Sequence, residues 1–99
     1  MEVEDFQKKI VEFLKQWEEK RQFTLTKEKA FTHLVEEVGE LARQYVNKEV
    51  RKERYDENEV KDAIGDILIQ VVELAHLHGL DIEETVLRII KEEQKFFKE

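Results

Sequence analysis

Apolar residues recur at steps of three and four along four separate segments of this chain, and no other feature constrains the fold as strongly. In the first segment the repeat runs from Val3 through Ile10 to Trp17. This spacing places apolar side chains on one face of an α-helix, which then packs against other helices. The chain has no Pro and three Gly, so little interrupts a helix. We therefore predict a first helix over about residues 3–20.

A second apolar repeat follows two threonines. Thr24 and Thr26 can each cap a helix N-terminus, and they precede a segment with the helical spacing. We predict a second helix over about residues 27–47. The basic segment at residues 48–55 loses the repeat and is interpreted as a connector.

The third and fourth segments both open on an acidic pair with the spacing of a capping box. Asp56 with Glu59 begins the third helix, and Asp81 with Glu84 begins the fourth. Gly79 separates the two segments and can adopt the left-handed conformation that ends a helix. The fourth helix carries its apolar face on Ile82, Val86, Ile89, Ile90 and Phe97.

Four helices joined by short links predict an all-α fold, an antiparallel four-helix bundle in a single domain over residues 1–99. A chain of 99 residues buries only a modest core by itself. The third helix is apolar on most of its circumference over residues 67–72, which leaves a face for another subunit. We therefore expect a homodimer or homotetramer that completes the bundle.

Charge and residue usage argue against several classes of function. The formal net charge is -7, and a field of that sign repels a nucleic-acid backbone, so we expect no nucleic-acid partner. The absence of Cys excludes a disulfide, a thiolate nucleophile and a zinc–thiolate site. Because the sequence shows neither a basic-then-apolar leader nor a long apolar run, we expect a cytoplasmic protein with no membrane partner.

Two acidic pairs on the second and third helices require an explanation. Glu37 and Glu40 lie about 60° apart on a helical wheel, and Asp62 and Asp66 about 40° apart, each pair beside the apolar stripe. If the two flanks face one another, four carboxylates converge and must take up protons or bind a cation. Oxygen ligands favour a hard ion, so the pattern predicts a magnesium site, with manganese as a substitute. The alternative is that these acids only solvate helix surfaces.

A glycine precedes the second acid of each pair. Gly39 and Gly65 both fall inside predicted helices, where Gly costs about 1 kcal/mol relative to Ala. We interpret them as points where two helix backbones approach closely, either at a functional site or through ordinary tight packing.

The residues around these acids resemble the all-α nucleoside triphosphate pyrophosphohydrolases, the group that contains MazG, the dimeric dUTPases and the dCTP pyrophosphatases. The likeness rests on Glu-Val-Gly-Glu-Leu at residues 37–41 with Gly-Asp-Ile-Leu at residues 65–68, and it covers most of the chain. Membership implies magnesium-dependent hydrolysis between the α- and β-phosphates of a nucleoside triphosphate. The products are a nucleoside monophosphate and pyrophosphate, and the implied role is housecleaning of the nucleotide pool.

The resemblance also implies the metal ligands. Glu37 and Glu40 match the paired acids of the first family motif, and Asp66 matches the last residue of its ExxD partner. The chain departs from that motif at Ala63, where the family has Glu. Asp62 is therefore assigned as the substitute ligand. Glu59 lies on the same flank one turn earlier and is assigned to the capping box.

The remaining site assignments have structural alternatives. Glu36 and Glu37 are the predicted catalytic acids, with Glu36 orienting or deprotonating water, although Glu36 also suits a surface position. Lys48 and Arg51 are predicted to contact the outer phosphates, unless they belong to a solvated connector. Trp17 is predicted to stack on the base, unless it is a core residue.

Two other functions stay open at this stage. A phosphoribosyl-ATP pyrophosphohydrolase has a similar bundle and acidic motif, and it would prefer phosphoribosyl-ATP to deoxynucleoside triphosphates. A non-catalytic helical interaction module would release no pyrophosphate and would show no magnesium-dependent rise in melting temperature.

Overall fold

The structure, a computed structural model, describes residues 1–98 and contains four α-helices. These are α1 (Val3–Arg21), α2 (Lys27–Val50), α3 (Glu57–Leu77) and α4 (Ile82–Gln94), with short 3₁₀ turns at Lys52–Arg54 and Lys95–Lys98. No β-strand occurs over these residues, and the all-α prediction is confirmed.

Side-chain caps begin three helices at the predicted positions. Thr26 and Asp81 each accept a hydrogen bond from the backbone N–H three residues later, at 3.2 and 2.8 Å. Asp56 accepts one from the backbone N–H of Asn58 at 2.9 Å. Each bond satisfies an N–H that the first turn of a helix otherwise leaves without a partner.

The reciprocal half of the α3 capping box is a wrong prediction. The backbone N–H of Asp56 donates to Oε1 of Gln44 on α2 at 3.0 Å, and not to Glu59. The side chain of a neighbouring helix takes the place of the local partner. Glu59 is therefore free for another role, and its side chain lines a cleft between α2 and α3.

The ends of α1 and α3 both use left-handed backbone. Gly79 has φ +68°, and the N–H groups of Gly79 and Leu80 donate to the carbonyls of His76 and Ala75, both at 2.9 Å. This paired arrangement is the Schellman motif, as the glycine predicts. Gln22 closes α1 with φ 55°, and no glycine in the sequence signals that position.

α2 continues to Val50, beyond the predicted end at residue 47. Asn47 is buried, and its two hydrogen bonds join the end of this helix to the segment that follows it. Its carbonyl accepts from the backbone N–H of Arg51 at 2.9 Å, and its Nδ2 donates to the carbonyl of Arg54 at 3.5 Å. The connector therefore folds against the end of α2.

The helices pack most extensively between α2 and α3, while α1 lies across α3. The buried apolar core sits at the crossing of α1 and α3, where Ile10 and Leu14 meet Val72. Leu25, Ile69 and Ile82 pack at its edge. α3 is thereby held by both of its neighbours, and its other flank is positioned against α2.

α4 is the element that departs most from the predicted bundle. It packs mainly against α1, and it is bent by 97° from α3. One described copy therefore does not close a four-helix bundle, and its radius of gyration is 16.6 Å, against about 13 Å for a compact domain of this size. Val86, Ile89 and Ile90 stay more than two-fifths exposed, and completion by a second copy stays a prediction.

A helix that spans a bilayer must be both long enough and apolar enough. Taken singly, no helix within residues 1–98 meets both requirements. α3 and α4 meet them only as a pair with the 97° bend between its members.

Candidate functional site

The four predicted ligands line one cleft of about 230 Å³ between α2 and α3. Glu37 and Glu40 come from α2, and Asp62 and Asp66 come from α3. Helical spacing puts each pair on one flank, and the packing of α2 on α3 brings the flanks together. The two acidic edges thus face one another, while the role of these four residues as ligands stays a prediction.

Two further charged residues line the same cleft. Glu59, one turn before Asp62, adds a fifth carboxylate, and Arg43 contributes a guanidinium from α2. Sequence reasoning missed Arg43, although its position three residues after Glu40 places it on the same helix flank. A guanidinium beside carboxylates partly offsets their charge and is a planar donor for a phosphate group.

Glu37 carries the clearest electrostatic signal in the cleft. Burial raises the pKa of its carboxyl group, the nearby Glu40 and Asp66 carboxylates raise it further, and His33 acts in the opposite direction. Its Oε2 atom is buried, and it has no hydrogen-bond partner among the described residues. A buried carboxylate oxygen of this kind requires either a proton or a cation.

The donor set suits a hard divalent cation. All of the cleft acids offer oxygen, and Glu37 Oε2 has no hydrogen-bond partner among the described residues. In the described part of the chain, however, no three Asp, Glu or His side chains lie close enough to form a complete ion site. The cleft acids therefore fit magnesium in the kind of ligand they offer, and a complete ion site would require their side chains to approach one another more closely.

A larger groove, of about 590 Å³, adjoins the cleft. It lies between α1, the start of α2 and α3, and Asp66 lines both cavities. Trp17 and Phe23 form one wall, edge to face, with ring centroids 4.8 Å apart and an interplanar angle of 80°. The guanidinium of Arg21 lies 5.5 Å from the centroid of Trp17. Trp17 is therefore a half-buried wall residue, not a core residue, and its stacking role stays a prediction.

Of the remaining predicted site residues, one lines the groove and two line neither cavity. Glu36 is exposed and lines the groove together with Asp66. Lys48 places Nζ 5.4 Å from the ring centroid of Tyr55, and Arg51 is exposed at the end of α2. Neither Lys48 nor Arg51 lines the cleft or the groove, so their contact with phosphates also stays a prediction.

Gln70 is a site candidate that sequence reasoning missed. It is 8% exposed, and it lines the groove one helical turn after Asp66. Its Oε1 atom is buried without a hydrogen-bond partner in the part of the chain that the structure describes. The sequence contains one indication of a role for Gln70, because it is the one polar residue in the apolar run at residues 67–72.

The predicted close backbone approach at the two mid-helix glycines is wrong within this chain. A Cβ atom added at Gly39 or Gly65 would meet no described atom within 4 Å outside its own helix. Both glycines are exposed, because they point away from the surface where α2 packs on α3.

Comparisons with known proteins give one match. A family model described as "MazG nucleotide pyrophosphohydrolase domain" matches residues 25–95. The matched range includes every acid of the cleft, whereas the whole of α1, with Trp17, lies before it. No curated protein and no solved structure matches the chain.

Proposed function

This chain belongs to the MazG nucleotide pyrophosphohydrolase domain family, and from that premise we propose that it is a magnesium-dependent nucleoside triphosphate pyrophosphohydrolase. The reaction converts a nucleoside or deoxynucleoside triphosphate and water into the monophosphate and pyrophosphate. The observation that carries the proposal is the junction at Asp66, where an acidic cleft opens into an apolar groove.

The two cavities suit the two halves of a nucleotide. The groove offers aromatic and aliphatic walls that a sugar and base can contact, as nucleotide sites generally do. The cleft offers carboxylates for the cations that accompany a triphosphate, and Arg43 as a direct donor to a phosphate oxygen. A substrate lying across Asp66 therefore places its phosphates at Glu37, Glu40 and Asp62.

The predicted metal ligands and Glu36 each have a defined part in the proposed reaction. Glu37, Glu40, Asp62 and Asp66 would hold a magnesium ion, which when bound would neutralise phosphate charge and make water more acidic. Glu36, on the groove side of Asp66, orients a water molecule toward phosphorus and accepts its proton. The water oxygen forms a bond to the α-phosphorus, the bond from that phosphorus to the α,β-bridging oxygen breaks, and pyrophosphate leaves with the bridging oxygen and the electron pair of the broken bond.

The wider setting of the enzyme is part of the same proposal. The substrates are canonical or damaged nucleotides in a cytoplasmic pool, and the enzyme removes them in a housecleaning role. The exposed apolar residues of α4, among them Val86 and Ile89, support a homodimer or homotetramer, because such surfaces are rarely left open to water.

A nucleotide panel tests this function. The full chain is incubated with each common ribo- and deoxyribonucleoside triphosphate and with phosphoribosyl-ATP, with magnesium or with EDTA, and the products are separated by ion exchange. We expect monophosphate and pyrophosphate from at least one nucleoside triphosphate, with magnesium only. Preference for phosphoribosyl-ATP would replace the proposed substrate class, and the absence of pyrophosphate from every substrate would remove the enzymatic function.

A further inference from the structure

The groove wall contains a buried amide whose oxygen has no hydrogen-bond partner among residues 1–98. Gln70 lies on α3 with 8% of its surface exposed, and its Oε1 accepts no hydrogen bond from the described residues. A buried acceptor without a donor costs about 1–3 kcal/mol. Native proteins keep few such groups, so this one requires an explanation.

The surroundings of the amide indicate which ligand would satisfy it. Leu14, Phe13 and Ile69 line the same groove, and none of these side chains can donate a hydrogen bond to Gln70. The polar members of the lining, such as Lys29 and Thr32, are exposed. Because Oε1 is itself buried, the carboxamide must turn toward the groove before a ligand can reach it. Such a ligand must be flat or apolar enough to enter the groove and must bring its own N–H donor.

The distance between Gln70 and the acidic cleft narrows the choice of ligand further. Gln70 follows Asp66 by four residues, so the two side chains share a helix flank with an axial separation of about 6 Å. That separation leaves room for a sugar between a phosphate at Asp66 and a heterocycle at Gln70. A carboxamide offers a donor beside an acceptor, and it pairs with a base edge that carries the complementary pair.

We propose that Gln70 is a specificity-determining residue whose carboxamide hydrogen-bonds the polar edge of the nucleobase. The substrates it selects are nucleotides whose base presents an N–H group beside an acceptor atom, in preference to a triphosphate without a base. This inference rests on the proposed function, because it assumes that phosphates lie at Asp66.

The central test is Gln70→Met, which keeps the length of the side chain and removes both hydrogen-bonding groups. We expect kcat/KM for the preferred nucleotide to fall about tenfold, chiefly through KM. Turnover of deoxyribose 5-triphosphate, which lacks a base, should stay within about twofold, since the variant changes no cleft residue. Gln16→Met, at an exposed position on α1, is the matched control and should leave both substrates unaffected.

Stability gives a second readout that a merely structural role would not produce. Without nucleotide, Gln70→Met should melt at the wild-type temperature or above it, because the variant removes an unsatisfied buried acceptor. A lower melting temperature combined with an equal loss for both substrates would overturn the proposal. An unchanged kcat/KM for the preferred nucleotide would also overturn it. If Gln70→Met does not fold, Gln70→Asn replaces it, since withdrawing the amide by one carbon should cause the same selective loss.

A binding measurement separates this inference from the proposed function. Trp17 is the one tryptophan of the chain and lines the groove, so its fluorescence reports groove occupancy. Nucleoside monophosphate titrated in EDTA should quench wild type at concentrations about tenfold lower than it quenches Gln70→Met. That result without wild-type hydrolysis would support the inference and remove the proposed function. Hydrolysis with equal quenching of both proteins would support the function and overturn the inference.

Discussion

The cleft and the groove meet at Asp66 but differ in what they leave unsatisfied. The cleft is small and acidic, and its buried oxygen without a hydrogen-bond partner, Glu37 Oε2, belongs to a carboxyl group that can carry a negative charge. The groove is larger and apolar, and its corresponding oxygen, Gln70 Oε1, belongs to a neutral amide. A charged oxygen that lacks a hydrogen-bond partner is satisfied by a cation, whereas a neutral one is satisfied by an N–H donor. The difference indicates two kinds of recognition on either side of Asp66, one for metal and phosphate in the cleft and the other for the base in the groove.

Burial of Glu37 Oε2 and Gln70 Oε1 without hydrogen-bond partners lowers the stability of the protein when no ligand is bound. A ligand that binds only the folded state returns that stability in proportion to its concentration and affinity. Magnesium should therefore stabilise through Glu37 in the cleft, and a nucleoside should stabilise through Gln70 in the groove. Variants that affect one cavity and spare the other test this division.

The largest expected effect is in the cleft. Glu40→Gln and Asp66→Asn should each lower kcat by roughly a thousandfold, the scale on which charge stabilisation at a reacting centre acts. Both should fold as wild type does in EDTA, because each removes one of several repelling carboxylates. Pyrophosphate release measures the loss, and Glu49→Gln, exposed on α2, is the control. Near-normal turnover in both variants would remove the cleft from the reaction.

The next effect is in the groove. Trp17→Leu should raise KM for nucleotides about tenfold, because aromatic stacking on a base is worth roughly 1–3 kcal/mol. Magnesium affinity should not change, since Trp17 does not line the cleft. Steady-state kinetics and a metal titration on the same variant measure the two quantities. A parallel loss of magnesium binding would show that the cavities are not separate.

A third prediction concerns Glu73, a buried acid of α3 that lines neither cavity. Burial raises its pKa, His76 acts in the opposite direction and Glu18 raises it further. The folded state then binds more protons than the unfolded state, so stability falls as pH rises from the ordinary Glu pKa, about 4.3, through the raised value.

Glu73→Gln should remove this pH-dependent loss. At pH 7 we expect the variant to be more stable than wild type by roughly 1 kcal/mol, since no buried charge remains at that position. Chemical denaturation at pH 4 and pH 7 measures the change, and magnesium should stabilise wild type and variant equally. A variant that is less stable at pH 7 would mean that the ionised carboxylate of Glu73 has a partner that holds it.

The smallest expected effect is at the two exposed glycines. Gly39→Ala and Gly65→Ala should each raise stability by about 0.5–1 kcal/mol, because helix propensity improves and an added Cβ meets nothing in the described chain. Thermal melting in EDTA measures it. A destabilised variant would indicate that another copy of the chain packs on that surface.

Features that depend on neighbouring residues were the predictable ones. The caps at Thr26 and Asp81 and the left-handed Gly79 involve atoms within a few residues, so the sequence pattern decides them. The acids that share a flank were also predictable, because helical spacing decides this, whereas the facing of the two flanks depends on the packing of α2 on α3. The all-α class followed from the same periodicity.

Features that depend on contacts between distant residues were not predictable. Glu59 was assigned to a cap that Gln44 of another helix partly replaces. The glycines were expected at a close backbone contact that the described chain does not make there. The departure of α4 follows from packing that no local pattern records. In the sequence, Gln70 only interrupts an apolar run, because the folded chain is needed to show that its amide is buried beside a groove.

The most direct test of the cleft as a metal site is a manganese titration followed by electron paramagnetic resonance. Wild type and Glu49→Gln should bind Mn²⁺ saturably and with equal affinity. Asp66→Asn and Glu40→Gln should bind it at least about tenfold more weakly, since each loses a charged ligand. Equal affinity in all four proteins would contradict the account, because the ion would then bind outside the cleft between α2 and α3.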